Sequence, residues 1–558
     1  MKRLNNKKID LLIIIPPSAG RNPIWPPYGA MYIASYFRQQ GYNPAILNID
    51  VERISNADII ERVKSIAPRY LGFSGMVATS YKYIKKLSNQ LKQSFPETVQ
   101  ILGGGLTCAA NTVLGNSSID IVVKGEGEIT ICELINCLER GGNLKEVLGI
   151  YYREKDSLVF TDDRPLIRNL DTLPYPAFDL VDMEHYIFDG PTFIRNFNNK
   201  IKDKRIYEKD RSRRMVNIII NRGCIGCCSF CVRPDLGIRM HSIKYVFDYI
   251  EYCVQKFNVG FLSFGDECFA PTKKRNWEFI EEYKKRKLNL VFRLLGLRVD
   301  AIDKDILKAF KEIGCWKINY GFESGSQKML NIIDKMVTVE QNINAATWTK
   351  EAGLYTPPQI ILGMPGENDK TIGETLNFMK SLDLDFKQFK WTIALPIPGS
   401  QLYDFAKLSG AITNEDQYLT SLGESGTGFL HVNLTDYPDE VVENWGNMMT
   451  HELDYWFFQK KYKIMNKLIF KILYFFYGLE YIIRRRELLD TIIRKITALF
   501  KRKASDESVL KNKIIAPYRK KEEIIFEELI RECDYTKINR SMSLKNINMK
   551  LKQAAEMQ

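Results

Sequence analysis

The stretch that most constrains this chain is Asn221 to Cys231, which reads N-R-G-C-I-G-C-C-S-F-C. Three of its cysteines, Cys224, Cys228 and Cys231, stand in C-x3-C-x2-C spacing. Val216 to Ile220, just before it, is a mainly apolar, β-branched run that reads as a short buried strand. Gly223 and Gly226 then loosen the backbone. A strand therefore ends in a loop that carries several thiols within a few residues. Thiolate sulfur suits one soft metal centre, an iron–sulfur cluster or zinc. Cys227 offers a second spacing, C-x2-C-x3-C through Cys224, Cys227 and Cys231, from which a zinc knuckle could be drawn, with His241 the nearest histidine for a fourth ligand. A disulfide framework does not suit a chain of 558 residues whose opening shows no secretory pattern.

Upstream, strand-like and helix-like segments alternate. Ile9–Ile15, Ala45–Ile49, Tyr70–Ser74, Gln100–Gly103 and Asp120–Lys124 read as short strands. Gly29–Gln40, Ala57–Ile66, Ser80–Ser94 and Glu128–Leu138 read as the helices between and after them. The alternation predicts an open, mostly parallel, Rossmann-like (flavodoxin-like) α/β sheet, whose ligands bind beyond the carboxyl ends of the strands. Gly149–Thr161 reads as a hairpin, and the densely charged Lys200–Arg214 as a surface connection.

After the cysteine loop the alternation resumes. Strands are expected at Gly260–Phe264, Leu290–Leu295, Trp316–Gly321, Gln359–Leu362 and Phe386–Leu395, with helices including Ile243–Gln255, Asn276–Lys285, Lys304–Ile313, Val339–Ala352 and Thr371–Leu382. Six β-α units predict a partial (β/α)6 barrel, with its chemistry at the carboxyl ends of the strands. The expected organisation is an N-terminal domain over 1–165, a linker over 166–212, a barrel over 213–430 and a helical, basic region over 431–558.

The loop resembles the signature of the radical SAM (S-adenosylmethionine) enzymes. Arg222-Gly223-Cys224 and Phe230 before the last cysteine match its "RGC…C-x-F-C" form. The resemblance implies a [4Fe–4S] cluster on Cys224, Cys228 and Cys231, with one iron left for SAM, which is cleaved to a 5′-deoxyadenosyl radical. It further implies SAM contacts at Phe230, at Gly265, Asp266 and Glu267 after the second strand, at Arg298, at Glu323 and Ser324 of a "G-x-E-S-G-S" strand end, and at Gly363 of a "G-x-P-G-E" turn. A carboxylate suits SAM's ammonium group by charge and acceptor capacity. Glu267 also suits a helix N-terminus, and Ser324 a simple cap. No catalytic residue is assigned.

The first third resembles the cobalamin-binding domain that precedes the barrel in one class of these enzymes, the class B radical SAM methyltransferases. The matching residues are Pro16-Pro17, Pro27-Tyr-Gly29, Gly72-Phe-Ser74, Leu102-Gly-Gly-Gly105 and Gly125-Glu-Gly-Glu128, followed by the linker Leu170-Asp-Thr-Leu-Pro-Tyr-Pro176. This implies cobalamin contacts at Pro17, Ser74, Gly103, Gly104, Gly125, Glu126 and Gly127. The familiar domain carries a cobalt-ligating histidine after its first strand, but the first histidine here is His185. A lower face not held by histidine is common in this class. The implied activity is methylation of an unactivated carbon of a small, conceivably lipid-like molecule, with an external electron donor of flavodoxin or ferredoxin type. A cobalamin-dependent cyclase or rearrangement without methyl transfer is the alternative. A tRNA methylthiotransferase ranks low, because Cys108, Cys132 and Cys137 lack that family's second cluster pattern. A metal-binding scaffold or sensor is the non-enzyme reading.

The net charge of +13 suits nucleic acid, anionic lipid, a phosphorylated substrate or merely a solvated basic surface. Much of the excess lies late in the chain, away from the cysteines, and nucleic acid is disfavoured. Apolar, aromatic segments at Ile464–Tyr477, Tyr481–Ile483 and Ile492–Phe500 alternate with Lys and Arg. They suit an interfacial surface rather than a membrane span. The expected location is the cytoplasm, with peripheral contact at the inner face of the membrane.

Overall fold

The computed structural model describes residues 8–17, 25–76, 78–155, 157–197, 201, 203–232, 237–383, 390–425 and 428–462. The apolar segments expected beyond Ile464 lie outside them. Residues up to Phe457 form one compact unit.

The first sheet contains β1 (Leu11–Ile15), β2 (Pro44–Asn48), β3 (Tyr70–Ser74), β4 (Val99–Gly103), β5 (Ile121–Val123), β6 (Ile150–Glu154) and β7 (Ser157–Phe160). Its order is β2-β1-β3-β4-β5-β6-β7; β6 and β7 run antiparallel, and the rest are parallel. Every residue of β1 is buried. Leu12 and Ile14 enter one core with Leu71, Phe73 and Leu102, while Leu11, Ile13 and Ile15 enter the opposite core with Ile101, Ile121 and Val123. A strand with helices on both sides needs apolar residues at every position, which is why β1 reads as a continuous run rather than an alternation.

The second region contains β8 (Ile187–Asp189), β9 (Arg214–Ile218), β12 (Val259–Phe264), β13 (Val291–Leu294) and β14 (Cys315–Ile318), ordered β14-β13-β12-β9-β8. Three more strands, β15 (Gly321–Glu323), β16 (Gln359–Leu362) and β17 (Lys390–Ile393), continue the curve in parallel. A bridge between Lys317 and Tyr355 joins the two groups. Between β9 and β12 lies an antiparallel ribbon of β10 (Asn221–Cys224) and β11 (Gly237–Met240). Val216, Ile218, Leu262, Phe264, Phe292, Leu294 and Ile318 point outward into one core with Val246, Phe247, Phe279, Ile306 and Phe310 of the surrounding helices. Met215, Phe261 and Val291 point inward, where Ile194 of the helix Gly190–Phe197 packs on them.

The strand expected at Trp316–Gly321 is two strands, β14 and β15, broken at Asn319-Tyr320. The strand expected at Val216–Ile220 starts at Arg214 and stops at Ile218, where Gly265 donates its N–H to the Ile218 carbonyl. The connection expected over Lys200–Arg214 has a turn of 3-10 helix at Lys204–Tyr207 and delivers Arg214 into β9. The C-terminal helix begins at Asp439 and lays Gly446 against the Trp391 indole of β17. No helix of the described residues is long and apolar enough to cross a membrane.

Candidate active site

The cysteine loop leaves the barrel through β10, whose last residue is Cys224. Backbone bonds pin the rest of the loop: Ser229 N–H donates to the Ile333 carbonyl and Leu402 N–H to the Ser229 carbonyl, both at 2.9 Å. Gly226 sits at the centre. A Cβ there would lie 3.4 Å from Cys224 Sγ, 3.7 Å from Cys228 Sγ and 3.4 Å from an Arg298 nitrogen. Two thiols and a guanidinium thus converge on a residue that has no side chain. Gly226 N–H also donates to Cys224 Sγ at 3.3 Å. The buried thiol of Cys268 donates to the same sulfur; this bond, then the Gly226 N–H and the Arg298 charge, hold Cys224 well below the ordinary thiol range. Burial pushes Cys228 up, with Lys335 opposing. Cys231 is exposed at the end of the loop, Cys227 is half-buried beside Cys228, and Phe230 packs against the barrel core. No three His, Cys, Asp or Glu side chains of the described residues are grouped closely enough to hold one metal ion.

The loop is tied to the N-terminal sheet by charge. Arg222 directs one nitrogen to Glu126 Oε1 and the other to Glu128 Oε1, each at 2.5 Å. Arg239 of β11 reaches Glu126 Oε2 at 2.7 Å and the Ile167 carbonyl at 2.9 Å. Ile167 N–H donates to Glu126 at 2.7 Å. Burial alone would raise the Glu126 carboxyl, but its bonds from Arg239 and Ile167 and the Arg222 charge hold it below the usual range. The Arg222 guanidinium also lies 5.2 Å over the Tyr32 ring.

Around this clamp opens a cavity of about 390 Å³, within the size range of small-molecule sites. Ser74, Gly103, Gly104, Gly125, Glu126 and Gly127 line it from the N-terminal sheet; Asn221, Arg222, Gly223, Gly265 and Glu267 line it from the barrel. Pro17 is not among its walls. A Cβ on Gly103 would meet nothing within 4 Å, so that glycine leaves space open to the cavity. Gly104, at φ +93°, needs its missing Cβ for a different reason: a methyl there would come within 2.8 Å of the Gly75 carbonyl.

The other rim residues fall into two groups. Arg298 is held by Asp300 through bonds of 2.9 and 2.8 Å and stands over the cysteine loop. Glu323, at φ +62°, carries the left-handed backbone that side chains seldom adopt, a strain typical of functional sites. Its Oε1 accepts from half-buried Lys335 at 2.9 Å. Asp266, Ser324 and Gly363 face the protein. Asp266 Oδ1 accepts from the N–H groups of Ile220 and Asn221 at 2.8 and 2.7 Å, and so fixes the start of the loop. Ser324 bonds to Thr375 at 3.1 Å, and Gly363 donates to Glu367 at 2.6 Å. Gly265 accommodates the Trp25 indole, which a Cβ would displace.

The B12 binding domain family matches residues 19–135, and the Radical SAM superfamily matches residues 218–379. The chain is a radical SAM enzyme with a B12-binding domain. A [4Fe–4S] cluster, SAM and cobalamin are the cofactors of these two domains. The enzyme is 29% identical to an uncharacterized methyltransferase of Pyrococcus horikoshii over 411 residues, 72% of this chain and 83% of that one. It is 28% identical to the anaerobic magnesium-protoporphyrin IX monomethyl ester cyclase of Rubrivivax gelatinosus over 392 residues, 68% of this chain and 66% of that one. Its fold resembles that of the cobalamin-dependent S-adenosylmethionine radical enzyme OxsB with aqua-cobalamin bound, at TM-score 0.62 and 16% identity, over 94% of this chain and 76% of that one.

Several site residues of the enzyme carry no mark in the sequence. Lys335, Arg239 and Trp25 are single residues with no motif around them. Cys268 follows Gly265-Asp-Glu267 by one position and could have been noticed there. The pairing of Arg222 with Glu126 and Glu128 spans about a hundred residues of chain and only the fold brings it together.

Proposed function

We propose that the enzyme methylates an unactivated carbon of a small-molecule substrate, with Cys224, Cys228 and Cys231 holding the cluster. The observation that carries this reading is a shared cavity. The Gly125–Glu128 turn of the cobalamin-type domain and the Asn221–Gly223 start of the cysteine loop line one space, joined by Arg222. When bound, the three cofactors supply radical generation from SAM and a transferable methyl group. The residues supply placement. Gly103 and Gly104 keep room at the carboxyl end of β4, and the apolar side chains of Leu11, Ile13, Ile101 and Val123 exclude water from the cavity floor. Glu267 and Glu323 offer carboxylates to an ammonium group, and Arg298 offers a cation to a carboxylate. Asp266 and Arg222 hold the loop in register with the cavity. Residues 1–165, 213–430 and 431–558 are read as the cobalamin-type domain, the catalytic barrel and a helical extension.

A ring-forming or rearranging activity without methyl transfer is the second reading, favoured by the likeness to a cyclase. The reading extends to an external one-electron donor of flavodoxin or ferredoxin type. It also extends to peripheral contact of residues 464–500 with an anionic membrane, which their interleaved basic and aromatic sequence supports. An amphiphilic substrate would suit such contact.

The test is anaerobic reconstitution with iron and sulfide, an electronic spectrum with and without cobalamin, then incubation with SAM labelled in its methyl group. Cys228→Ala loses the cluster absorption, and labelled product appears only with the intact loop and cobalamin. Deoxyadenosine formed without any labelled product would select the second reading. Zinc in place of iron would end both.

A further inference from the structure

The inward face of the barrel carries two buried cationic side chains, Arg293 and Lys317, that no carboxylate of the described residues balances. In β9, β12, β13 and β14, register sets Asn217, Ser263, Arg293 and Lys317 side by side in one row. Val216, Ile218, Leu262, Phe264, Phe292, Leu294 and Ile318 beside it point outward into the helices, so this row faces the barrel interior; Trp316, at a register shift in β14, joins it on the inward side. Arg293 is 5% exposed and Lys317 1%. Arg293 donates to Ser263 Oγ at 2.7 Å. Neither is paired with any carboxylate of the described residues, and both are pushed down, Arg293 by burial and Lys317 to about 6 by burial and then by Arg293 and Lys390. The third strongly buried cation, Arg211, is by contrast matched with Glu208. Aromatic rings are the other company. Lys317 Nζ lies 3.7 Å from the Phe197 ring centre, Lys390 Nζ 5.3 Å from the same ring, and the Arg293 guanidinium 4.6 Å from Phe193. A ring quadrupole tempers a buried cation but does not neutralise it.

Burying uncompensated charge costs several kcal/mol per ion, so Lys317 gives up its proton at neutral pH and holds a charge there only beside an anion. Further round the barrel the inward face is open: Gln359 of β16 and Lys390 and Thr392 of β17 are exposed to solvent. Lys390 thus meets solvent on that side while sharing the Phe197 ring with buried Lys317. Ser263 lies two residues before the rim residue Gly265, about 7 Å lower along the strand.

We infer that the barrel interior binds an oxyanion of the substrate, a carboxylate or a phosphate, between Arg293, Lys317 and Lys390, so that the rest of the molecule extends toward the cysteine loop. This rests on the proposed reading of residues 213–430 as the catalytic barrel, and takes its interior as the substrate site. It assigns that site a substrate class and gives its anchor to β13, β14 and β17.

The test uses the full chain and two probes, sodium succinate and inorganic phosphate, against sodium chloride at matched ionic strength, with thermal midpoint as the readout. The wild-type midpoint rises saturably by about 3 °C with one probe or both, and the stronger probe names the anion. Lys317→Met and Arg293→Met lose that rise, while their midpoints in chloride do not fall, because the first removes a buried amine that is mostly uncharged without an anion and the second an unbalanced buried charge. Lys390→Met, at an exposed position that cannot disturb the core, weakens the apparent affinity several-fold and serves if the buried variants fail to fold. No rise over chloride in the wild type, or an undiminished rise in Lys390→Met and either buried variant that folds, overturns the inference. Cys224→Ala keeps the anion response. A chain that binds the anions but never holds a cluster would thus sink the proposed function alone.

Discussion

Arg222 shows how one residue can belong to two domains at once. It precedes the first cysteine by two positions, yet its partners are the carboxylates of Glu126 and Glu128, both largely buried. Removing one member of such a set leaves the others charged and poorly solvated, which is far costlier than losing an exposed pair. Arg222→Gln is therefore expected to lower unfolding stability by about 3 kcal/mol, read by chemical denaturation. Arg222→Gln with Glu126→Gln should cost less than the sum of the two single changes. Equal additivity would mean that Arg222 and Glu126 act separately. The two glycines of the cavity wall make opposite predictions at the same scale. Gly103→Val has room and should leave stability within about 0.5 kcal/mol of wild type while abolishing cobalamin retention on gel filtration. Gly104→Ala meets the Gly75 carbonyl in a left-handed backbone and should cost about 1 kcal/mol or more.

At the scale of elements, the linker is locked to the barrel by His241. Its Nδ1 lies 2.9 Å from Asp171 Oδ1, and its ring stacks on Tyr245 at 3.8 Å. Burial, outweighing the Asp171 carboxylate, pushes the imidazole down to about 4 from 6.5. Between these values the unfolded chain binds a proton that the folded chain does not. Stability should therefore rise as pH climbs from about 4 to 6.5, by on the order of 2 kcal/mol, and then level off. His241→Phe should flatten that portion of the curve, and an unchanged slope would assign it to other groups. Most of these elements were legible beforehand. Tyr70–Ser74 falls where its mainly apolar run places it, because a strand packed on both sides is apolar at nearly every position, and Gln359–Leu362 follows its run of Ile360 to Leu362 although Gln359 is exposed. The elements that escaped are those whose stability is not local. The three-residue β8 exists because β9 pairs with it, and the β10–β11 ribbon is polar and glycine-rich, with no periodicity to read. The helix Gly190–Phe197 is inside the barrel only because Met215, Phe261 and Val291 form its seat. The candidate site divides in the same way. Cys224, Cys228 and Cys231 were singled out by spacing together with the family resemblance, since spacing alone also allows Cys227, whereas Lys335 under Glu323 and Cys268 beside Cys224 come from tertiary placement.

Across the compact unit, the first sheet meets the barrel mouth with the carboxyl ends of its strands. Trp25 rests on Gly265, Tyr28 OH donates to the Asn217 carbonyl at 2.5 Å, and the Glu126–Arg239 pair closes the other flank. The same clamp limits how such an enzyme can be recombined. A cobalamin-type domain from a relative, grafted onto this barrel, would have to bring acids equivalent to Glu126 and Glu128 at the start of its last sheet helix, or Arg222 and Arg239 would meet an apolar surface. The barrel expressed alone would expose both cations beside the wall of an empty half-cavity. In genetic terms the two domains are one unit of inheritance, and changes at positions 126, 128, 222 and 239 should travel together through descent.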